Sequence, residues 1–175
     1  MTESYHRLSN SEKARKATMS ILEVLFDGEW HRVEDLKVET HVSPRSLYKN
    51  LNRLEGHLIE KKKDKTTYPN PTYYRATPTL LSLRFESMLI EKITKAMMKD
   101  LSNNKDIQST LEYANEIINA KIKSVISTIK KEHITDSETI LFLLKSFVFP
   151  FQEILITGII KASLPIIDDL KLTKP

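Results

Sequence analysis

The fold is decided by one stretch, His41-Val-Ser-Pro-Arg-Ser-Leu-Tyr-Lys-Asn-Leu-Asn-Arg-Leu-Glu-Gly-His-Leu58, which carries the start and stop signals of a short helix. Ser43 has a side chain that caps helix N-termini, and Pro44 suits the first turn, where a missing N–H costs nothing. Gly56 follows the last apolar residue, where a left-handed residue usually ends a helix. The stretch therefore predicts a helix that begins after Ser43 and ends before Gly56.

The two sides of this predicted helix differ in chemistry. At 100° per residue, Leu47, Leu51 and Leu54 fall within about 60° of one another. A helix this short needs packing to be stable, so we expect the leucines to dock on the body of a domain. The other side carries cationic and amide side chains, which are the types that reach phosphates and base edges in a DNA groove: Arg45, Lys49 and Asn52.

Positive charge is concentrated in and just after this stretch. Residues 1–42 hold six basic and eight acidic residues, and residues 80–175 hold thirteen and twelve. Residues 43–79 hold eight basic against three acidic residues, a net charge of +5. Such clustering is typical of a nucleic-acid-binding surface, although a basic, solvated face without a partner is the alternative.

The residues before the stretch predict two further helices. Ser9 and Glu12 have the spacing of a capping box, and a helix is predicted over 10–26, in which these apolar residues recur at helical spacing: Ala14, Ala17, Ile21, Leu22 and Leu25. Residues 29–32 suit a brief extended piece, and residues 33–40 suit a short helix. Two short helices joined by a few residues, the second capped and basic outside, predict a helix-turn-helix.

After Gly56 the pattern changes from helical to extended. Residues 58–63 and 72–77 predict a β-hairpin, whose tip at 64–71 is irregular because it contains Pro69 and Pro71. The hairpin places five cations beside the capped helix: Lys61, Lys62, Lys63, Lys65 and Arg75.

This order of elements resembles the winged helix-turn-helix fold of archaeal and bacterial transcription regulators, the superfamily that includes the MarR, ArsR and PadR groups. The resemblance covers about Ser9 to Thr77 and rests on Asp27-Gly28-Glu29-Trp30, on Ser43 to Leu51 as the recognition helix, and on Tyr73-Tyr74-Arg75-Ala76-Thr77 closing the wing. It implies that the third helix enters the major groove, that the wing follows the DNA backbone or minor groove, and that dimers bind two half-sites.

The helix faces and the resemblance together predict the DNA-binding residues. Arg45 and Ser46 are expected to contact bases first and Lys49 next, while Arg53 is better placed for a phosphate. The predicted set is Arg45, Ser46, Tyr48, Lys49, Asn52, Arg53, Lys61, Lys62, Lys63, Lys65 and Arg75. Because winged helices also serve as protein-interaction modules, that function is the first alternative.

The second half of the chain predicts an all-helical domain. Its first helix starts near Leu80, with an apolar stripe of Leu81, Phe85, Met88, Leu89, Ile93 and Met97. Its second helix carries Ile107, Leu111, Ala114, Ile118, Ile122, Val125 and Ile129. These positions repeat every eleven residues, which favours a helix packed along a neighbour over a left-handed zipper.

Residues 140–167 are apolar on almost every face. A capping box at Thr135 and Glu138 predicts helices over 137–149 and 151–162, and burial on all sides favours coverage by a second copy in a homodimer. Lys145, Glu153 and Lys161 interrupt the segment, so membrane anchoring is the less favoured alternative. Four aromatic residues suggest a small hydrophobic effector as a further alternative: Phe142, Phe147, Phe149 and Phe151.

Few residues suggest catalysis. The chain has no cysteine, three glycines and five histidines without metal-ligand spacing, so we predict no enzyme activity, no metal and no cofactor. The N-terminus lacks the apolar core of a signal peptide, and we expect a cytoplasmic protein.

The overall prediction is a mainly α protein with a small β-hairpin wing: a winged helix-turn-helix at 1–79 and a C-terminal helical dimerisation domain at 80–175. We expect a transcription regulator that binds specific double-stranded DNA as a homodimer.

Overall fold

A computed structural model describes the backbone of residues 2–101 and 107–157, and the side-chain surroundings of residues 12–97, 109–110 and 112–157. These residues are mainly helical with a small three-stranded antiparallel sheet, which confirms the predicted fold class at that level. The elements are α1 (Thr2–Leu25), β1 (His31–Arg32), α2 (Val33–Thr40), α3 (Pro44–Leu54), β2 (Ile59–Lys63), β3 (Thr72–Ala76), α4 (Pro78–Leu101), α5 (Ile107–Lys131) and α6 (Ser137–Phe147).

The described residues divide into two compact units. The first contains the residues up to Ser82 together with Glu132–Thr139, and the second contains Leu83–Lys131 and the residues from Ile140 onward. The short segment Glu132–Thr139 thus belongs to the first unit, although both of its sequence neighbours belong to the second. The predicted division at residues 79 and 80 stays a prediction.

Helix α1 is longer than predicted. It begins at Thr2 rather than near Asn10, so Ser9 lies inside the helix and cannot act as its N-cap. No glycine or proline interrupts residues 2–9, and Glu3 suits the first turn of a helix, so local propensity permits the extension. Ala14, which belongs to the helical pattern of apolar residues, is exposed, and the fully buried Thr18 takes part in the core.

The core of the first unit is built where α1, α2 and α3 meet the sheet. The leucines of α3 are fully buried, as predicted, and so are Ile21, Leu22 and Leu25 of α1. These side chains pack with residues of α2, the sheet and the segment before it: Leu36, Leu58, Ile59 and Tyr74. Removing this apolar surface from water at roughly 25 cal/mol per Å² is the main term that holds α3 in place.

The sheet has the order β1-β3-β2. The predicted hairpin is confirmed, with Ile59 opposite Ala76 and Lys63 opposite Thr72. The predicted extended piece before α2 adds a third strand, because His31 pairs with Tyr74 and Arg32 with Tyr73. The third strand therefore supports β3 at its middle and on the side nearer the hairpin tip.

Helix α4 buries a different face from the predicted one. Phe85, Met88 and Leu89 of the predicted stripe are exposed, with Phe85 70% accessible. The buried residues lie on roughly the opposite side: Leu80, Leu83, Ser87 and Thr94. Ser87 is accommodated because its hydroxyl donates a hydrogen bond to the Leu83 carbonyl at 2.8 Å.

Helix α5 agrees with the predicted eleven-residue spacing where its side chains are described. Ala114 and Val125 are buried, while Ile118, Ile122 and Ile129 are partly buried. The side chains of Ile107 and Leu111 lie outside the described set. Lys121 shares the buried face, and its Nζ donates to Glu86 Oε2 at 3.1 Å and to the Leu83 carbonyl at 3.3 Å. Desolvation by burial lowers the pKa of Lys121 despite the adjacent carboxylate.

The segment after α5 begins with a different cap from the predicted one. The Asp136 carboxylate accepts a hydrogen bond from the Thr139 backbone N–H at 2.7 Å, so Asp136 rather than Thr135 caps α6. Glu138 turns away from that cap and contacts α3. Helix α6 ends at Phe147, and helical backbone resumes from residue 149 to 157. The predicted end at Ala162 and the apolar residues up to Ile167 lie outside the described residues.

The four aromatic residues between 142 and 151 are mostly buried. Phe142, Phe147 and Phe151 are buried, and the rings of Phe142 and Phe147 meet edge to face at 6.5 Å. Phe149 is 44% accessible. The hypothesis of a small hydrophobic effector stays untested.

One helical segment of the described chain, Ser137–Thr157, is long and apolar enough to cross a membrane by length and composition alone. Helices buried in the core of a soluble protein satisfy the same criterion.

Candidate nucleic-acid interface

Helix α3 is positioned by the signals seen in the sequence. Ser43 Oγ accepts a hydrogen bond from the Ser46 N–H at 3.4 Å, and Pro44 is the first helical residue. Gly56 adopts the left-handed conformation just after the helix, with φ of +83°. With the leucines buried, α3 turns outward four of its predicted DNA-binding residues: Arg45, Tyr48, Lys49 and Asn52.

The exposed side chains of α3 differ in the contacts they make with other residues of the protein. Arg45 makes no ion pair with any residue that the structure describes. Tyr48 faces a cation, since Lys37 Nζ lies 5.3 Å from its ring centroid. Lys49 lies 3.9 Å from Glu138 Oε2, and both side chains are largely exposed, so this pair is weak. Arg45 is thus the cation of α3 most available to a ligand.

Two predicted contacts on α3, Ser46 and Arg53, are engaged inside the protein. Asn50 Nδ2 donates to the Ser46 carbonyl at 2.8 Å and to Ser46 Oγ at 3.4 Å. Arg53 donates to Thr18 Oγ1 at 2.9 Å, to Asn50 Oδ1 at 3.0 Å and to Glu138 Oε2 at 3.2 Å. With its side chain only 17% accessible, Arg53 is not the free, outward cation that the helix pattern suggested.

Asn50 and Thr18 hold α3 in place, although neither is among the residues predicted from the sequence. Thr18 is fully buried and Asn50 nearly so, and the Thr18 hydroxyl lies 2.7 Å from Asn50 Oδ1. Buried polar groups require partners, so this network fixes α3 against α1. The only signal in the sequence was a polar residue on the leucine side of α3, which is not enough to identify the partner.

The hairpin cations fall into two groups. Lys63 and Lys65 are exposed and make no ion pair with any described residue. Lys61 binds Glu55 Oε2 at 2.9 Å, and this hydrogen bond raises the pKa of Lys61. Lys62 is exposed, with its Nζ 6.0 Å from the ring centroid of Trp30. Lys63 and Lys65 are therefore the hairpin cations that a phosphate can approach without breaking an ion pair.

Arg75 supports the hairpin instead of extending from it. Its Nη2 lies 2.7 Å from Glu60 Oε2, and its Nε donates to the same oxygen at 2.8 Å. Its guanidinium carbon lies 4.6 Å from the centroid of the Trp30 ring. This ion pair and cation–π contact join β3 to β2 and to the residue before β1. A role for Arg75 in DNA contact would require the side chain to leave Glu60.

The hairpin tip has a defined structure and presents one aromatic residue. The Asp64 N–H donates to the Pro71 carbonyl at 3.0 Å, and the Asp64 carboxylate accepts from the hydroxyl and N–H of Thr66. The Thr66 hydroxyl, followed by its N–H, lowers the pKa of Asp64. Tyr68 lies in this tip and is 98% accessible. Tyr68 is not among the predicted DNA-binding residues, which on the hairpin were taken from its cations.

Helix α3 and the hairpin border a common groove of about 360 Å³. Tyr48 and Asn52 line it from α3, and Lys61, Lys63 and Asn70 line it from the hairpin. Arg32 and Glu34 line it at the start of α2. The groove therefore combines one carboxylate with aromatic, amide and cationic groups, the types that bind nucleic acids through stacking, hydrogen bonding and charge.

Comparisons with known proteins identify no relative: no family model matches the sequence, and neither a curated protein nor a solved structure matches significantly. The resemblance to winged helix-turn-helix regulators stays a prediction from the sequence.

Proposed function

We propose that the chain is a transcription regulator that binds double-stranded DNA through a winged helix-turn-helix in its first unit. In this proposal α2 and α3 form the helix-turn-helix, and the hairpin of β2 and β3 is the wing. The observation that carries it is the groove in which the exposed face of α3 meets the exposed lysines of the hairpin. A helix fits the major groove with its polar face toward the base edges, and cations beside it neutralise phosphates.

Within this interface the side chains have separate roles. Arg45, near the start of α3 and without an ion pair among the described residues, contacts base edges, and Asn52 follows two turns later on the same face. Lys63 and Lys65 contact phosphates beside the wing. Tyr68 at the wing tip adds an aromatic surface against the sugars or bases of the groove that the wing follows.

The function is tested with purified full-length protein and a pool of random duplexes, from which bound sequences are selected. We expect enrichment of a defined sequence, and affinity that falls steeply with salt because bound phosphates release counterions. A salt-independent interaction with no enriched sequence would contradict the proposal and favour a winged-helix protein-interaction module.

Replacing Lys63 and Lys65 together with alanine is expected to weaken binding to the selected duplex and to an unrelated duplex by similar factors. Phosphates are common to all sequences, so these lysines add affinity without discrimination. The salt slope should also fall in magnitude by roughly one per lost contact. Fluorescence anisotropy over a salt series measures both quantities.

The matched control replaces Lys130 and Lys131 with alanine. These two lysines are exposed at the end of α5, so their replacement removes the same charge outside the proposed interface. If Lys63 and Lys65 affected only the selected duplex, the wing would contact bases rather than phosphates.

We also propose that the regulator is a homodimer that associates through its second unit. Exposed apolar side chains support this, namely the α4 residues Phe85, Met88 and Leu89, together with Leu141, Phe149 and Ile156. Exposed apolar surface of this kind marks interaction sites, and a two-fold symmetric copy offers the same surface in return.

Changing Leu89 to serine is expected to weaken dimerisation about tenfold. Half of Leu89 is exposed, so its burial in an interface is worth on the order of 1 kcal/mol. A symmetric dimer buries at most one Leu89 from each protomer, so this free energy enters the dimerisation constant at most twice. Sedimentation equilibrium measures the change. Val38→Ser, at an exposed site on α2 in the first unit, is the control. Equal dimerisation of all three proteins would move the interface away from α4.

A membrane-associated regulator is the second candidate, and the apolar segment Ser137–Thr157 is the observation that favours it. The two candidates differ in one simple property. We expect the full chain to stay in solution without detergent after ultracentrifugation, whereas a protein anchored through residues 140–167 would sediment with membranes.

A further inference from the structure

Arg53 and Lys49 lie one turn apart on α3 and contact the same oxygen. Glu138 Oε2 is 3.2 Å from Arg53 Nη1 and 3.9 Å from Lys49 Nζ. Side chains four residues apart share one side of a helix, so both cations face the same point beside α3. An oxygen anion at that point is therefore attracted by both positive charges at once.

Glu138 is brought to this point by a segment that is anchored independently. The Glu132 carbonyl lies 2.8 Å from His57 Nδ1, and the Glu132 carboxylate accepts from the Thr79 hydroxyl at 2.7 Å. Ile134 is buried before Glu138, and the buried Thr139 after it donates its N–H to Asp136, so the backbone on both sides of Glu138 is held. Glu138 itself is 62% accessible. Its carboxylate can thus leave the two cations without unfolding the segment that carries it.

We propose that Arg53 and Lys49 form a binding site for one phosphate group, and that Glu138 occupies this site in the free protein. The inference rests on the proposed function, since the phosphate that displaces Glu138 belongs to the DNA backbone. The buried contacts of Arg53 with Thr18 and Asn50 use Nη2, while Nη1 bonds only to Glu138 among the described residues. The exchange therefore changes one partner of Arg53 and leaves the network that holds α3 intact.

The exchange predicts a specific effect of the Glu138 charge on DNA binding. Each binding event must release Glu138, which then takes up a cation from solution and offsets one counterion released by DNA. Glu138→Gln removes this step while keeping the shape of the side chain. We expect the variant to bind duplex DNA about two- to fivefold more tightly at low salt, as suits an exposed ion pair, and with a salt slope steeper by roughly one.

Glu39→Gln is the matched control, because it removes one exposed acidic charge from the same unit at a residue that makes no ion pair with any described residue. We expect a smaller gain in affinity and no change in salt slope for this variant. A gain that is equal in the two variants, with equal slopes, would overturn the phosphate site.

A second measurement does not depend on DNA. Inorganic phosphate, compared with chloride at equal ionic strength, is expected to raise the melting temperature of Glu138→Gln more than that of the wild type or Glu39→Gln, because a vacant site binds the anion. If wild-type protein binds duplex DNA but neither the slope nor the phosphate effect changes in Glu138→Gln, the phosphate site is wrong and the DNA-binding function stands. If phosphate stabilises the variant but none of the three proteins binds DNA, the anion site stands and the DNA-binding function is wrong.

Discussion

Leu51→Ala is expected to lower the free energy of unfolding by about 2 to 5 kcal/mol, the range for emptying a buried leucine position. Leu51 is fully buried in the middle of α3, where Leu47 and Leu54 flank it on the same face. The cavity would loosen the packing that holds α3, which is too short to persist alone. Urea denaturation followed by circular dichroism measures the loss.

Val38→Ala serves as the control for this stability measurement. Val38 is 71% accessible on the neighbouring helix α2, so its truncation should change stability by less than about 0.5 kcal/mol. Equal, small effects of the two substitutions would mean that α3 does not pack through its leucines. A large loss at Leu51 alone agrees with the core described above.

Arg45→Ala is expected to reduce affinity for the selected duplex by roughly ten- to a hundredfold while sparing most nonspecific binding. An arginine that donates two hydrogen bonds to one guanine supplies about 1 to 3 kcal/mol of discrimination. Arg45 is exposed, and its charge is not paired with any described residue, so the fold should lose nothing when it is truncated. Anisotropy titrations measure the affinity for the selected duplex and for an unrelated duplex, and a thermal melt measures the stability of the variant.

The charge control for Arg45 is Lys92→Ala, an exposed cation on α4 in the second unit. It removes the same charge, so any general electrostatic loss appears in both variants. Two results would refute the proposed recognition surface: unchanged affinity of Arg45→Ala for the selected duplex, or unfolding of that variant. The second would show that Arg45 packs inside the protein.

The elements that were predicted correctly depend on local signals. The cap and proline at the start of α3 and its leucines act within one or two turns, so the sequence alone places that helix. Capping motifs without a matching helix start are less reliable. Ser9 and Glu12 had the correct spacing, yet α1 continues through them because nothing in residues 2–9 stops a helix.

The features that sequence patterns missed depend on distant residues. Residue spacing on α3 predicts an outward Arg53 without protein partners, but its partners Thr18 and Glu138 lie 35 and 85 residues away. The apolar stripe of α4 predicts an amphipathic helix, but periodicity does not distinguish a core face from a face left exposed in one copy of the chain. In both cases the missing information is which element packs against the helix.

The place of Glu132–Thr139 in the first unit has a consequence for folding during synthesis. The partners of this segment, His57 and Thr79, are made about fifty residues or more before it, and the intervening α4 and α5 must first leave the ribosome. The first unit is therefore incomplete until residue 139 has emerged, and its last contacts close a long loop at an entropic cost that grows slowly with length. A nascent chain stalled near residue 90 would expose α3 with Arg53 lacking its carboxylate partner.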